Sequence, residues 1–249
     1  MTTIEQLPGF RRRIRITAGA GWVRGEVEDD FHCMQVTLRH AQGVVTAMEP
    51  VMERAPWTTC PGAVAQLSAT FAGIELDRFA LRGAKSENCT HLHDLALLAV
   101  AHAGDIEPIV YDILVSDPVD GWRDIELRRN GVPLLGWIER NGVITEPAEL
   151  SGRRLDQLRP WIESLDPARQ EAARLLRWGA ILGHGRTIPM ERQSDARRMP
   201  PNCYTFQPQR VAAATRCGAI RDFSRGPAKP LDRAPYTGGH DRAIPYLIT

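Results

Sequence analysis

Apolar and polar residues alternate through Arg13-Ile14-Arg15-Ile16, partly through Trp22 to Val27, and again through Met34-Gln35-Val36-Thr37-Leu38-Arg39. That period of two predicts antiparallel strands with one wet face. Gly19 to Gly21 and Gln42-Gly43 supply the turns, and Val44 to Met48 continues the meander. The period then changes. Cys60-Pro61 opens a segment with Val64, Leu67, Ser68 and Phe71 at helical spacing, closed by Gly73. Proline suits a first helical turn, so Cys60 is placed at the cap. A second helix is expected from about Thr90 to His102, with Leu92, Leu95, Ala96, Ala99 and Val100 on one face and Gly104 beyond its end. Cys89 falls just before it.

After Pro108 the strand pattern returns at Ile109 to Val115, Trp122 to Arg128 and Leu134 to Ile138, with Asn130-Gly131 and Asn141-Gly142 as hairpin turns. These strands form a second small sheet or extend the first. Asp166-Pro167 starts an amphipathic helix through Ala172, Leu175, Leu176, Ala180 and Ile181, ending near Gly183. From Arg186 the sequence is irregular, with helical character only in Gln209 to Arg216, and no internal repeat is visible. The expected class is α+β: an antiparallel sheet with helices packed on one face, plus a C-terminal β-hairpin and helix extension. Three regions follow: 1–106 as an α+β site region, 107–225 completing a pocket, and 226–249 as an irregular tail.

Composition narrows the function classes. Thirty-one Lys and Arg against 30 Asp and Glu leave a formal charge of +1, so no overall field recruits nucleic acid or an anionic membrane. No run approaches the ~20 apolar residues of a membrane helix, and the N-terminus, with Pro8 and Arg11 to Arg13, does not read as a signal peptide. Five cysteines, an odd number, suit a reducing compartment better than a disulfide framework. The expected location is cytoplasmic. A small-molecule substrate is the expected partner, nucleic acid and membrane are not, and a homo-oligomer is compatible with the composition.

The candidate chemistry lies in the N-terminal half. Cys60 and Cys89 stand at two predicted helix starts, where backbone N–H groups and the helix dipole favour thiolate over thiol. Cys89-Thr90-His91 places sulfur and nitrogen ligands in one turn, and His32 is the candidate fourth ligand from a strand. Cys33 faces the other way by strand alternation if His32 points into the site. The run continues into His93 and Asp94, candidate catalytic residues: Asp94 would orient an imidazole or act as a base, against an ordinary role in a helix's first turn. A loop holding Cys203, Tyr204 and Phe206 between prolines either closes over a pocket or plugs a gap against the sheet, with Trp57 as a further aromatic wall. No dinucleotide fingerprint, phosphate loop, nucleophile elbow or His-Glu-x-x-His helix occurs.

Taken together, Pro8-Gly9-Phe10, the segment around His32, Pro56 to Ala63, Cys89-Thr90-His91-Leu92, Cys203 to Pro208 and Arg221-Asp222-Phe223-Ser224 resemble a bacterial family catalogued as domain of unknown function 2889. That resemblance covers nearly the whole chain and implies a link to catabolism, including aromatic and steroid breakdown. Residues 30–103 also resemble, more distantly, the iron–sulfur scaffold proteins of the IscU/NifU kind, with Cys60 and Cys89 at two cluster-binding positions. His32 stands near the scaffold's aspartate, and the histidine follows Cys89 instead of preceding it.

The expected function is a metal-dependent enzyme of lyase or hydrolase type acting on a small organic catabolite, with zinc or iron held by His32, Cys60, Cys89 and His91. The alternatives are a non-enzymatic iron–sulfur or metal carrier using the same residues, and an accessory subunit whose cysteines are core.

Overall fold

The computed structural model describes residues 3–218, 220–225 and 227–232. Their frame is one antiparallel sheet of eight strands: β1 (Gly9–Gly19), β2 (Trp22–Asp29), β3 (Cys33–Ala41), β4 (Val44–Arg54), β5 (Ile109–Ser116), β6 (Trp122–Arg129), β7 (Val132–Arg140) and β8 (Val143–Glu146). Their spatial order is β4-β3-β2-β1-β5-β6-β7-β8. The strands after Pro108 therefore extend the first sheet, and β8 is an element the alternation did not announce. The class is mixed α and β with an antiparallel sheet. The tight hairpins obey the sequence: Gln42-Gly43, Asn130-Gly131 and Asn141-Gly142 each take two consecutive positive φ angles, the conformation of a two-residue turn that matches strand twist.

The order of elements contains a repeat that residue types conceal. Each half is a four-strand meander followed by helices, and the first strands of the two meanders, β1 and β5, run antiparallel side by side at the centre. In the first half the helices are α1 (Ala63–Phe71) and α2 (Thr90–Ala101); in the second they are α3 (Arg159–Glu163) and α4 (Pro167–Arg186). The expected helix over Gln209 to Arg216 is a single turn, Pro208–Val211, after which the chain bonds along residues 56–58.

Both long helices cover the same face. A Cβ on Gly25 of β2 would lie 3.0 Å from Leu95 of α2, and one on Gly179 of α4 would lie 2.4 Å from the Cγ2 of Ile113 in β5. Phe10, Ile14 and Ile16, Val23 and Val27, Val36 and Leu38, and Tyr111, Ile113 and Val115 fill this face and form one core with both helices. The opposite face is charged: Arg13 pairs with Asp112, Arg15 with Glu26, and Arg54 with Glu28. Over it lie residues 221–225 and 227–232, tied by Asp222 to Arg186, by Arg221 to Glu28, and by the Leu231 N–H to Glu28. Residues 233–249 of the expected tail lie outside the described residues. Among the described residues no helix is long and apolar enough to cross a membrane.

Candidate functional site

Strand alternation sends Phe10, Arg12, Ile14 and Ile16 to the helix-covered face, so Arg12 enters a core otherwise built of hydrocarbon. A guanidinium there requires a counter-charge, since uncompensated burial of an ion is prohibitive. Its direct cross-strand neighbour on β2 is Asp29, which occupies the same phase as Val23 and Val27. The two side chains form an ion pair with no solvent exposure, through Arg12 Nη1 and Asp29 Oδ2.

Asp29 then shapes the turn into β3. Its Oδ1 accepts the backbone N–H groups of Phe31 and His32, both at 2.8 Å, and lies 3.0 Å from His32 Nδ1. Arg54 braces the turn from outside, donating to the carbonyls of Asp30 at 2.6 Å and Asp29 at 2.8 Å. Burial opposes ionisation of Asp29, but His32 and Arg12 outweigh it and hold the carboxyl well below the usual carboxylate range. An ionised carboxylate only accepts hydrogen bonds, so the Nδ1 of His32 donates to Asp29 and its Nε2 points away from the pair.

Above this dyad stands the first turn of α2. The ring of His91 stacks on that of His32 with centroids 3.9 Å apart, and Trp178 of α4 closes the group, 5.2 Å from His91 and 4.0 Å from the Arg12 guanidinium carbon. Burial first, then the charges of His32 and Arg12, depress the His91 pKa well below its ordinary value, so its ring is neutral. Among the described residues, three buried atoms of this group have no hydrogen-bond partner: Arg12 Nε, Arg12 Nη2 and His91 Nε2. Nε and Nη2 form one edge of the guanidinium, the edge that grips a carboxylate with two parallel N–H bonds.

The structure thus brings His32 and His91 together and adds Arg12, Asp29 and Trp178, which belong to no motif in the sequence. Cys60 lies elsewhere, its sulfur 3.4 Å from Thr205 Oγ1, in a small cluster with Trp57 and Ala196. Cys89 caps α2 as expected. The expectation of low-pKa thiolates is reversed: burial pushes the Cys60 thiol up to about 11 and the Cys89 thiol up to about 12. Backbone N–H groups of Leu92 and His91 pull Cys89 down, but desolvation is larger. Among the described residues no three His, Cys, Asp or Glu side chains gather as a metal ion would need.

His93 turns away from His91 on the helix. Its Nε2 meets the Gly83 carbonyl at 2.9 Å, and its ring lies against Phe71. Asp94 pairs with Lys85 at 2.5 Å. In the aromatic loop, Phe206 meets Trp57 edge-on at 5.7 Å, the Tyr204 N–H donates to the Asn88 carbonyl, and a Cβ on Gly62 would strike the Tyr204 hydroxyl at 2.5 Å. Cys203 is half-buried beside them. This loop is packed onto the two cysteine-bearing turns.

No family model matches the chain, and no curated protein matches it. Among solved structures, the crystal structure of a viral glycoprotein aligns over 72% of this chain and 58% of that one, at 12% identity and a TM-score of 0.21. This chain therefore spans little more than half of that glycoprotein chain, and a score so low carries no argument about fold.

Proposed function

We propose that the group around Arg12 is an acid–base centre for a small organic acid, and that the protein is an enzyme of lyase or hydrolase type. The observation that carries the reading is the unpartnered Nε–Nη2 edge of a fully buried arginine beside an Asp29–His32 dyad. Leaving such donors unmet costs about 1–3 kcal/mol each, a penalty that a bound carboxylate removes. The free edge offers only N–H donors, which select a ligand that accepts, such as a carboxylate. Arg12 would fix the carboxylate, Asp29 would hold His32 in one tautomer, and His32 Nε2 would take or return a proton on the carbon or leaving group next to it. The neutral ring of His91 would supply a further polar contact.

The test follows a pool of small carboxylic acids in deuterated water by proton NMR. With the wild-type protein, one or more acids should lose a C–H signal or break down, and His32→Gln should slow that by ~100-fold or more. If no acid changes, or if the folded His32→Gln protein acts as fast as the wild type, the reading is wrong.

A metal-carrier reading, in line with the scaffold resemblance, draws support from Cys89, whose ionisation is further disfavoured by nearby Cys60 and Cys203 thiols. It requires those thiols to lose protons that burial retains. Stoichiometric zinc or iron in anaerobically purified protein, lost in Cys89→Ala, would favour it over the organic-acid reading.

A further inference from the structure

On the face of the sheet opposite the Arg12 guanidinium and its partners lies a cavity of about 340 Å³. Its floor is a block of cross-strand neighbours: Arg11 opposite Leu114, and Arg13 opposite Asp112. Arg128 of β6, the neighbour of Asp112 on the other side, forms a wall with Glu5. The roof is Phe223, Pro227, Lys229 and Pro230 from the segment that crosses this face.

The lining has an excess of positive charge. Arg11, Arg13, Arg128 and Lys229 stand against Glu5 and Asp112, while the guanidinium of Arg12, which also borders the cavity, is turned through the sheet to Asp29. Some of that charge is committed. Arg11 donates to the carbonyls of Ile4, Leu7 and Phe10, Arg13 to both oxygens of Asp112 at 2.7 and 3.3 Å and to Asp232 at 3.5 Å, and Arg128 pairs with Glu5 and Glu126. Carbonyls leave the formal charge of Arg11 in place, and Lys229 has no side-chain ion pair among the described residues. Against the cations stand apolar surfaces of Leu114 below and of Phe223 and the two prolines above. The size lies at the small end of the range for ligand pockets, ~300–1,000 Å³.

We infer that this cavity binds a small organic anion with an apolar body, its carboxylate toward Lys229 and its hydrocarbon between Leu114 and Phe223. Because the roof is the 221–232 segment, a bound anion ties that segment to the sheet. The site is separate from the Arg12 centre, and either can fail without the other.

The experiment is isothermal titration of the full chain with benzoate, which has the proposed chemistry, beside acetate and inorganic phosphate, which lack the apolar body. Benzoate should bind saturably and more tightly than acetate or phosphate. Lys229→Glu, a surface substitution that leaves the sheet intact, should weaken benzoate by ~10-fold or more, Phe223→Ala should weaken benzoate but not acetate, and His32→Gln should change neither. The inference is overturned if benzoate does not saturate, if phosphate binds as tightly, or if Lys229→Glu leaves the benzoate affinity unchanged. Loss of benzoate binding in His32→Gln alone would place the anion at the other centre and overturn it equally.

Discussion

At the scale of single residues, the decisive physics is desolvation. Cys60 and Cys89 stand at helix starts, yet burial raises both thiols, and Cys217 is the exposed cysteine. A limiting alkylating reagent at pH 8 should therefore label Cys217 first and Cys89 last, which peptide mapping would read directly; fast labelling of Cys89 would mean that its turn opens readily. The helix-start rule could be read from sequence, whereas the depth of burial could not. Arg12 and Asp29 were legible by another route. Each is a charge in the apolar phase of a strand, between Phe10 and Ile14 in one case and after Val23 and Val27 in the other. Two such charges in adjacent strands mark a buried pair, but only once the register is known. His91 and His32 were legible as types, and their stacking was not, because it depends on where α2 crosses the sheet.

At the scale of elements, α4 is held by glycines as much as by its apolar stripe. Gly179 and Gly183 let its backbone approach Ile113 and Val115, where a Cβ would lie 2.4 and 2.9 Å from the nearest side-chain atom. Gly179→Ala should gain up to ~1 kcal/mol of helix propensity but lose more by overpacking, for a net loss of about 1–2 kcal/mol and a lower Tm. Gly185, in the same helix with open space around its Cβ position, makes the control: Gly185→Ala should stabilise by about 0.4–1 kcal/mol. Equal effects of the two substitutions in thermal unfolding would contradict the close approach. The stripe through Ala172, Leu175, Leu176 and Ala180 announced this helix, and the strands β1 to β7 followed from alternation. The short strand β8 escaped because four residues cannot establish a period. Residues 30–103 hold β3, a two-residue turn, β4 and the starts of α1 and α2, and the sheet continues past them through β2 to β1.

At the scale of the whole molecule, two meanders meet at β1 and β5, and polar clusters tie the helices across that seam. His102 at the end of α2 meets Glu171 of α4 at 3.0 Å and Asp105 at 2.7 Å, while Tyr111 of β5 donates to the same Glu171 at 2.5 Å. The hydrogen bond to Glu171, more than offsetting burial, raises the His102 pKa above its ordinary 6.5. A raised histidine stabilises fully below its unfolded pKa and loses that contribution as pH climbs through the folded value. The Tm difference between wild type and His102→Gln should accordingly be largest below pH 6.5 and shrink at higher pH; a difference constant from pH 5.5 to 8.5 would contradict the linkage. The repeat itself was invisible in the residues because the halves share topology without sharing side chains, and Arg12 shows why that matters. It sits on β1 between Asp29 and Ile113, at the join of the halves, and has no counterpart on β5. Among the described residues its Nε–Nη2 edge has no hydrogen-bond partner. In ¹⁵N-labelled protein, the buried Arg12 Nε–H, assigned by its loss in Arg12→Met, should give a resolved side-chain resonance. Titration with the pool of small carboxylic acids should shift it saturably downfield as a carboxylate takes the Nε–Nη2 edge. A resonance that no organic acid moves, in a protein that remains folded, would contradict the central claim.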